Sequence, residues 1–289
     1  MADIISKPTT IISDSVIDNA REIDFLYPSG SLIIHGLLVL PVDLKNPSPL
    51  LVFNHGGING IYPGLKFISR ELARDEGFIV FASSYRGEDG SDGEIEIAKG
   101  EVDDVLNGLE LIAKSEIVDR DGIYMVGSSH GALITLIAMA RDSKALVKKG
   151  VFGYGIADIF QWLRYLEDEG MLDDERVALE SYPFSIDDEE EIHLRNGVEY
   201  LDKINVPLLV IHGEEDDLVP PEQAKMLKDA ADKAGLKDVQ VAMIANGGHG
   251  FLTKTEVLSD GVKRKSKPCE EAWRIILEFL KTNDDSRYI

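Results

Sequence analysis

Apolar runs of strand length alternate with longer segments whose apolar residues recur at helical spacing, and this alternation organises most of the chain. Residues 21–27 and 32–40 predict two strands around the turn cluster Pro28-Ser29-Gly30, opening the sheet as an antiparallel pair. Further short apolar strands are predicted at 50–54, 78–82, 123–126, 150–153, 206–212 and 239–244. Helices are predicted at 65–76, closed by Gly77, and at 94–114, 132–140, 221–234 and 268–281, with a polar glycine-rich loop at 88–93. Strands alternating with helices imply an α/β fold with a mostly parallel sheet flanked by helices on both faces. Ligands bind such sheets beyond the carboxyl ends of the strands. No internal repeat is evident.

The alternation breaks once. Residues 157–203 place Phe160, Trp162, Leu163, Tyr165 and Leu166 at helical spacing, followed by an acidic run. A small helical lid is predicted there, inserted between two core strands, with Trp162 and Tyr165 as candidate substrate contacts. The alternative is a solvated helical excursion whose aromatics only pack a core.

With 289 residues and 44% hydrophobic content, the chain can bury a large core as one domain, 1–289. The start, Met1 to Lys7, lacks a basic segment followed by an apolar core, so no signal peptide is predicted. No stretch is long and apolar enough for a membrane span. A single cysteine, Cys269, cannot form an intrachain disulfide, which fits a reducing, cytoplasmic setting. The formal net charge of −22 argues against nucleic acid as a partner, because its phosphates would be repelled. Residues 167–191 hold twelve acids against one base, Arg176, and so half of that charge. The run reads as a solvated face, or as an attractor of cationic substrates such as a free amino terminus. No pair of histidines stands four residues apart and there is no cysteine cluster, so no metal is expected. The acids at 89–94 miss the spacing of a calcium loop, and no dinucleotide fingerprint follows the first strand. No cofactor is expected.

Against this frame, Gly127-Ser128-Ser129-His130-Gly131 sits between a predicted strand and a predicted helix. A G-x-S-x-G pentapeptide in that context makes a sharp turn that lifts one serine hydroxyl above the sheet. Register selects Ser129, two residues from each glycine, with Ser128 as the alternative. A serine hydroxyl needs a base. Downstream, the strand at 206–212 runs into Glu214-Glu215-Asp216-Asp217, and the strand at 239–244 into Gly247-Gly248-His249-Gly250-Phe251. The order Ser129, Asp216, His249 is that of a nucleophile-elbow hydrolase, with Asp217 the competitor for the acid and a strand-capping loop histidine the bland reading of His249.

Four stretches carry a family resemblance: Tyr85-Arg86-Gly87, Gly100-Glu101-Val102-Asp103-Asp104-Val105, His212-Gly213-x-x-Asp216-x-x-Val219-Pro220 with Gln223, and Gly248-His249-Gly250-Phe251. From about residue 23 onward the chain resembles the catalytic domain of the prolyl-oligopeptidase group of α/β-hydrolases. The resemblance implies an α/β-hydrolase fold and a serine hydrolase with Ser129, Asp216 and His249 as triad. No β-propeller fits in the first few dozen residues. Where those peptidases often use a tyrosine, this chain reads Asn54-His55-Gly56-Gly57-Ile58, closer to the His-Gly-Gly loop of esterases. No equivalent of their amine-anchoring glutamate pair is placed.

The oxyanion hole is expected from the backbone N–H groups of His130 and Gly57, with Ile58 beside the substrate. Arg86 is expected to tie loops together, or alternatively to meet a substrate carboxylate, with Asp103 and Asp104 either its partners or facing water. His212 is expected to orient the acid loop and His55 to brace the oxyanion loop. His193 is read as a surface residue and His35 as part of the opening hairpin. The chain therefore reads as a carboxylesterase acting on small to medium acyl or aryl esters. The second reading is a peptidase or amidase of the oligopeptidase type, and the third a non-catalytic binding protein on the same scaffold. A small-molecule ester is the expected partner, and a homodimer stays open.

Overall fold

Successive residues of a strand point to opposite faces, and the buried strands separate into two cores accordingly. Leu50 and Val52 face one core with Ile79, Phe81, Leu208 and Val210, whereas Leu51 and Phe53 face the other with Val80, Ala82, Leu209 and Ile211. A sheet apolar on both faces needs helices on both. The computed structural model describes residues 9–44, 47–174, 177, 182–257, 259 and 261–282.

Among these residues the main sheet has nine strands, in the order β1-β2-β3-β5-β4-β6-β7-β8-β9. They are β1 (Thr10–Ile17), β2 (Ala20–Ser29), β3 (Leu32–Pro41), β4 (Ser48–Asn54), β5 (Ile79–Ser83), β6 (Val118–Ser128), β7 (Lys149–Gly153), β8 (Leu208–Gly213) and β9 (Val239–Ile244). The first three pair antiparallel and β3 pairs antiparallel with β5, while β5, β4, β6, β7, β8 and β9 run parallel. Helices α2 (Gly100–Ile112), α3 (His130–Arg141) and α6 (Glu222–Ala234) cover the first core, and α1 (Pro63–Glu76) and α7 (Lys267–Lys281) the second. This is the α/β-hydrolase architecture.

Helix boundaries follow local chemistry. α1 starts with Pro63, which lacks an N–H to leave unpaired, and stops at Gly77 with φ 76. The Ser266 hydroxyl caps α7 by accepting from the Cys269 N–H. Between β7 and β8 lie α4 (Ile159–Asp168), capped by Asp158, the short α5 (Glu189–His193) and a 3₁₀ turn, Gly197–Lys203. Part of the acidic run, residues 175–176 and 178–181, lies outside the described residues.

Three features differ from the sequence expectation. Strand β1 was not anticipated; its residues are exposed on both faces, so it lacks the half-buried alternation that marks a strand. A small hairpin of β10 (Thr255–Val257) and β11 (Lys263–Lys265) was likewise unmarked, being short and polar. The helix expected over 94–114 begins only at Gly100. Residues 96–99 form a turn instead, because the buried Glu101 carboxylate accepts the N–H groups of Glu96, Ile97 and Lys99. Ile97 and Ala98 each sit at φ 56 within it.

Arg86 does tie loops together. Its Nε and Nη2 donate to the two Asp104 oxygens at 3.0 Å, its Nη1 reaches Glu96 at 2.7 Å, and its backbone N–H also donates to Asp104. Burial works against the cation, but the Asp104 and Glu96 hydrogen bonds outweigh it and raise the Arg86 pKa above its ordinary value. Asp103, by contrast, pairs with Arg141 at the surface. Removing Asp104 takes three hydrogen bonds from Arg86 and leaves Glu96 to hold the cation. Asp104→Ala is therefore expected to lose about 3 kcal/mol or more of stability. Urea unfolding should show this as a lower midpoint with an unchanged m-value.

Candidate active site

The turn after β6 is made of small residues because nothing larger fits. A Cβ on Gly127 would lie 2.1 Å from the Gly131 carbonyl oxygen, and one on Gly131 would lie 2.2 Å from that of Asn54. Between them Ser129 is held at φ 54 and ψ −122, a conformation that costs a non-glycine residue about 1–3 kcal/mol. Its N–H donates to Gly153 O at 2.9 Å, fixing the turn to the end of β7. Ser129 opens into a cavity, whereas Ser128 is buried beneath the turn.

Asp216 stands three residues past β8, with its carboxylate buried. Its Oδ1 accepts the N–H groups of Leu218 and Val219 at 3.1 and 2.9 Å. His212 completes that loop by donating from Nε2 to Val219 O at 2.8 Å; burial lowers its pKa, which suits a neutral ring. Asp217 is exposed. The His249 loop and the acid loop touch backbone to backbone: a Cβ on Gly213 would sit 2.0 Å from Gly247 O. The Glu214 and Glu215 N–H groups donate across this contact to Ile244 and Gly247.

Ser129, His249 and Asp216 are thereby brought together. His249 Nδ1 lies 2.9 and 3.1 Å from the Asp216 oxygens, and Nε2 lies 3.0 Å from Ser129 Oγ. A carboxylate only accepts, so Nδ1 carries the hydrogen and Nε2 is free to accept the serine proton. The Tyr154 ring meets the imidazole edge-on with centroids 5.1 Å apart, a support that the sequence did not announce.

The His55-Gly56-Gly57 loop folds over the elbow, and a Cβ on Gly56 would sit 2.9 Å from the Ser129 Cβ. Gly57 has φ +72. The His130 side chain donates from Nδ1 to Gly57 O at 3.1 Å, joining the two segments expected to supply oxyanion donors. Among the described residues, no backbone carbonyl accepts from the Gly57, Ile58 or His130 N–H. The loop is anchored below by acidic side chains: Glu88 accepts from Gly60 N–H and Asp89 from Ile61 N–H. His55 stacks on Tyr85 at 4.1 Å, and its Nε2 is 3.9 Å from Glu88. Burial drives the His55 pKa down to about 4 and the Glu88 pKa up to about 8.

The cavity in front of Ser129 measures about 160 Å³ and is mainly apolar. Ile58 and Trp162 line it, together with Ile97, Ile159, Leu218 and Arg195. Trp162 is held by donation from Nε1 to Leu218 O at 2.9 Å. Tyr165 requires correction: it is absent from the lining, and its hydroxyl donates instead to Asp217 O at 2.8 Å. Its helix presents Trp162 and Leu166 inward, and position 165 falls on the half-exposed flank. Ile97 and Arg195 were not anticipated, the first because it sits in the misread helix, the second because it follows the acidic run. His193 pairs with Glu199 at the surface, and His35 meets Ser84 and Asp24 in the opening hairpin.

The prolyl oligopeptidase family model matches residues 66–265. An uncharacterized peptidase of Bacillus subtilis, YtmA, is 28% identical over 70% of this chain and 76% of its own length. The acylaminoacyl peptidase of Pyrococcus horikoshii superposes with a TM-score of 0.70 at 21% identity, over 92% of this chain but only 42% of that one. A fungal esterase from Rhizomucor miehei gives a TM-score of 0.73 at 17% identity, over 93% of this chain and 85% of that one. The chain thus spans less than half of the archaeal peptidase and most of the esterase, and the last two likenesses concern the fold.

The buried pair beneath the loop predicts a pH signature. From pH 4 to 6.5 the unfolded chain protonates His55 while the folded chain does not, so that histidine makes stability rise with pH. From pH 4.5 to 8 the folded chain keeps a proton on Glu88 that the unfolded chain has lost, so that carboxyl makes stability fall with pH. The two oppose each other up to pH 6.5, and above it only the decline remains. Glu88→Gln keeps an acceptor for Gly60 and should flatten the loss of stability between pH 6.5 and 8, measured by urea unfolding across that range.

Proposed function

This chain belongs to the prolyl oligopeptidase family and is a serine hydrolase by that membership, and on this premise we propose that it cleaves carboxylic esters of small or single-ring acyl groups. The observation that carries the ester reading is the cavity. It is mainly apolar, its charged lining residue is the cation Arg195, and among the described residues no carboxylate lines it to hold a substrate amino terminus. A cavity of about 150 Å³ accommodates a benzene ring, close to the 160 Å³ beside Ser129. The helical insertion between β7 and β8 acts as the lid, contributing Trp162 and Ile159 to the wall.

The steps follow from the hydrogen bonds. Ser129 Oγ attacks the acyl carbonyl carbon while its proton passes to His249 Nε2, and Asp216 stabilises the imidazolium. The carbonyl oxygen becomes an oxyanion received by the His130 and Gly57 N–H groups, each worth roughly 3 kcal/mol in the transition state. Collapse expels the alcohol, which takes the proton from His249. Water then attacks the acyl-enzyme, giving a proton to Nε2. The second collapse releases the acid and returns the proton to Ser129 Oγ.

A fluorophosphonate should add once to the wild-type protein by intact mass and not to Ser129→Ala, whose kcat on an aryl ester should fall by at least about 10⁴-fold. An aryl ester should be turned over far faster than an aminoacyl anilide, whose amine must be protonated to leave. Preference for the anilide would transfer the proposal to the peptidase reading.

A further inference from the structure

Arg195 follows α5 in the insertion and is 1% exposed, yet it lines two separate spaces. One is the cavity that contains Ser129. The other is an open cleft of about 490 Å³ bordered by Glu96, Lys99, Pro183, Phe184 and Glu191. The guanidinium is locked where it stands. Nε donates to Ile97 O at 2.6 Å, Nη1 donates to the Glu191 carbonyl and carboxylate at 2.7 and 2.6 Å, and Nη2 donates to Glu96 O. The Phe184 ring lies 3.8 Å from its Cζ. Two of the carbonyls it grips, those of Glu96 and Ile97, belong to the turn held from the other side by Glu101, so that flank of the wall is fixed twice.

We propose that Arg195 is the end wall of the acyl cavity and sets the longest acyl group the site accepts. The inference rests on the acyl-transfer reading of Ser129 and deepens it. With the wall in place, the cavity holds about six heavy atoms, as a benzene-sized space does. A longer chain has to displace a guanidinium that makes four hydrogen bonds. Truncating Arg195 joins the cavity to the cleft. Glu191 keeps Lys99 as its partner at 2.8 Å, and the carbonyls of Glu96 and Ile97 come within reach of water from the cleft. In the cleft Pro183 and Phe184 offer apolar cover, and each methylene that they shield from water is worth up to about fourfold in kcat/KM.

The test compares p-nitrophenyl acetate, butyrate and octanoate on wild type, Arg195→Ala and Arg195→Lys. Wild type should show kcat/KM at least about tenfold lower for octanoate than for butyrate. Arg195→Ala should raise the octanoate-to-butyrate ratio by about tenfold or more, and Arg195→Lys, which keeps most of the volume, should stay near wild type. Octanoate turned over by wild type as well as butyrate would overturn the proposal, even if the alanine variant does not fold. So would an alanine variant that is slower on all three esters with the same ratio. Failure of wild type to hydrolyse any of them, without a fluorophosphonate adduct, would instead sink the ester-hydrolase reading, and the proposal with it.

Discussion

Above the carboxyl ends of the strands, backbone segments meet more closely than a Cβ would allow, and the site depends on this crowding. Gly127 and Gly131 close the elbow on itself and onto the end of β4, Gly56 brings the oxyanion loop against Ser129, and Gly213 brings the acid loop against the histidine loop. Each contact positions one participant relative to another. The positive φ of Ser129 persists because these contacts and its hydrogen bond to Gly153 leave the turn no relaxed alternative. Reach between Ser129 and His249 is thus set by main chain, which is stiffer than side chains and does not depend on their rotamers.

A second layer of control comes from acids that bond to backbone amides, and Glu88, Glu101 and Asp216 among them are buried. Glu88 and Asp89 hold the amides of the oxyanion loop, Glu101 holds those of the 96–99 turn, and Asp216 takes two amides of its own loop while facing His249. A carboxylate that accepts backbone N–H groups organises a loop where no strand or helix can satisfy them. In a chain with 52 acids, such residues disappear into the composition. Their surplus reads as a solvated face, and nothing in spacing separates Glu101, buried to 0% exposure, from its surface neighbours.

That difference explains what was legible. The parallel strands were readable because a strand buried on both faces must be apolar throughout, and Ser129, Asp216 and His249 because each follows such a strand in a glycine-marked turn. Strand β1 was not, since an exposed edge strand needs no apolar alternation. The start of α2 was not, because the residues at 96–99 have ordinary helical composition and are bent by a carboxylate two to five residues on. Trp162 and Tyr165 share one amphipathic helix, and periodicity alone does not say which of them reaches a cavity and which bonds to a carbonyl at the rim.

The division also runs between chemistry and selectivity. Groups that move protons stand on short turns off the sheet, where local sequence dictates geometry. Walls of the cavity come from segments far apart in the chain: Ile58 from the loop after β4, Ile97 from a bent turn, Trp162 and Arg195 from the insertion. Their meeting depends on tertiary packing, so no local pattern encodes it. A fold that keeps its sheet and its turns while varying the insertion can retain acyl transfer and change the acyl group. One architecture can therefore superpose on a peptidase and an esterase alike. In this chain a guanidinium held by carbonyls of a turn at positive φ stands at the boundary between a mainly apolar cavity and a charged cleft.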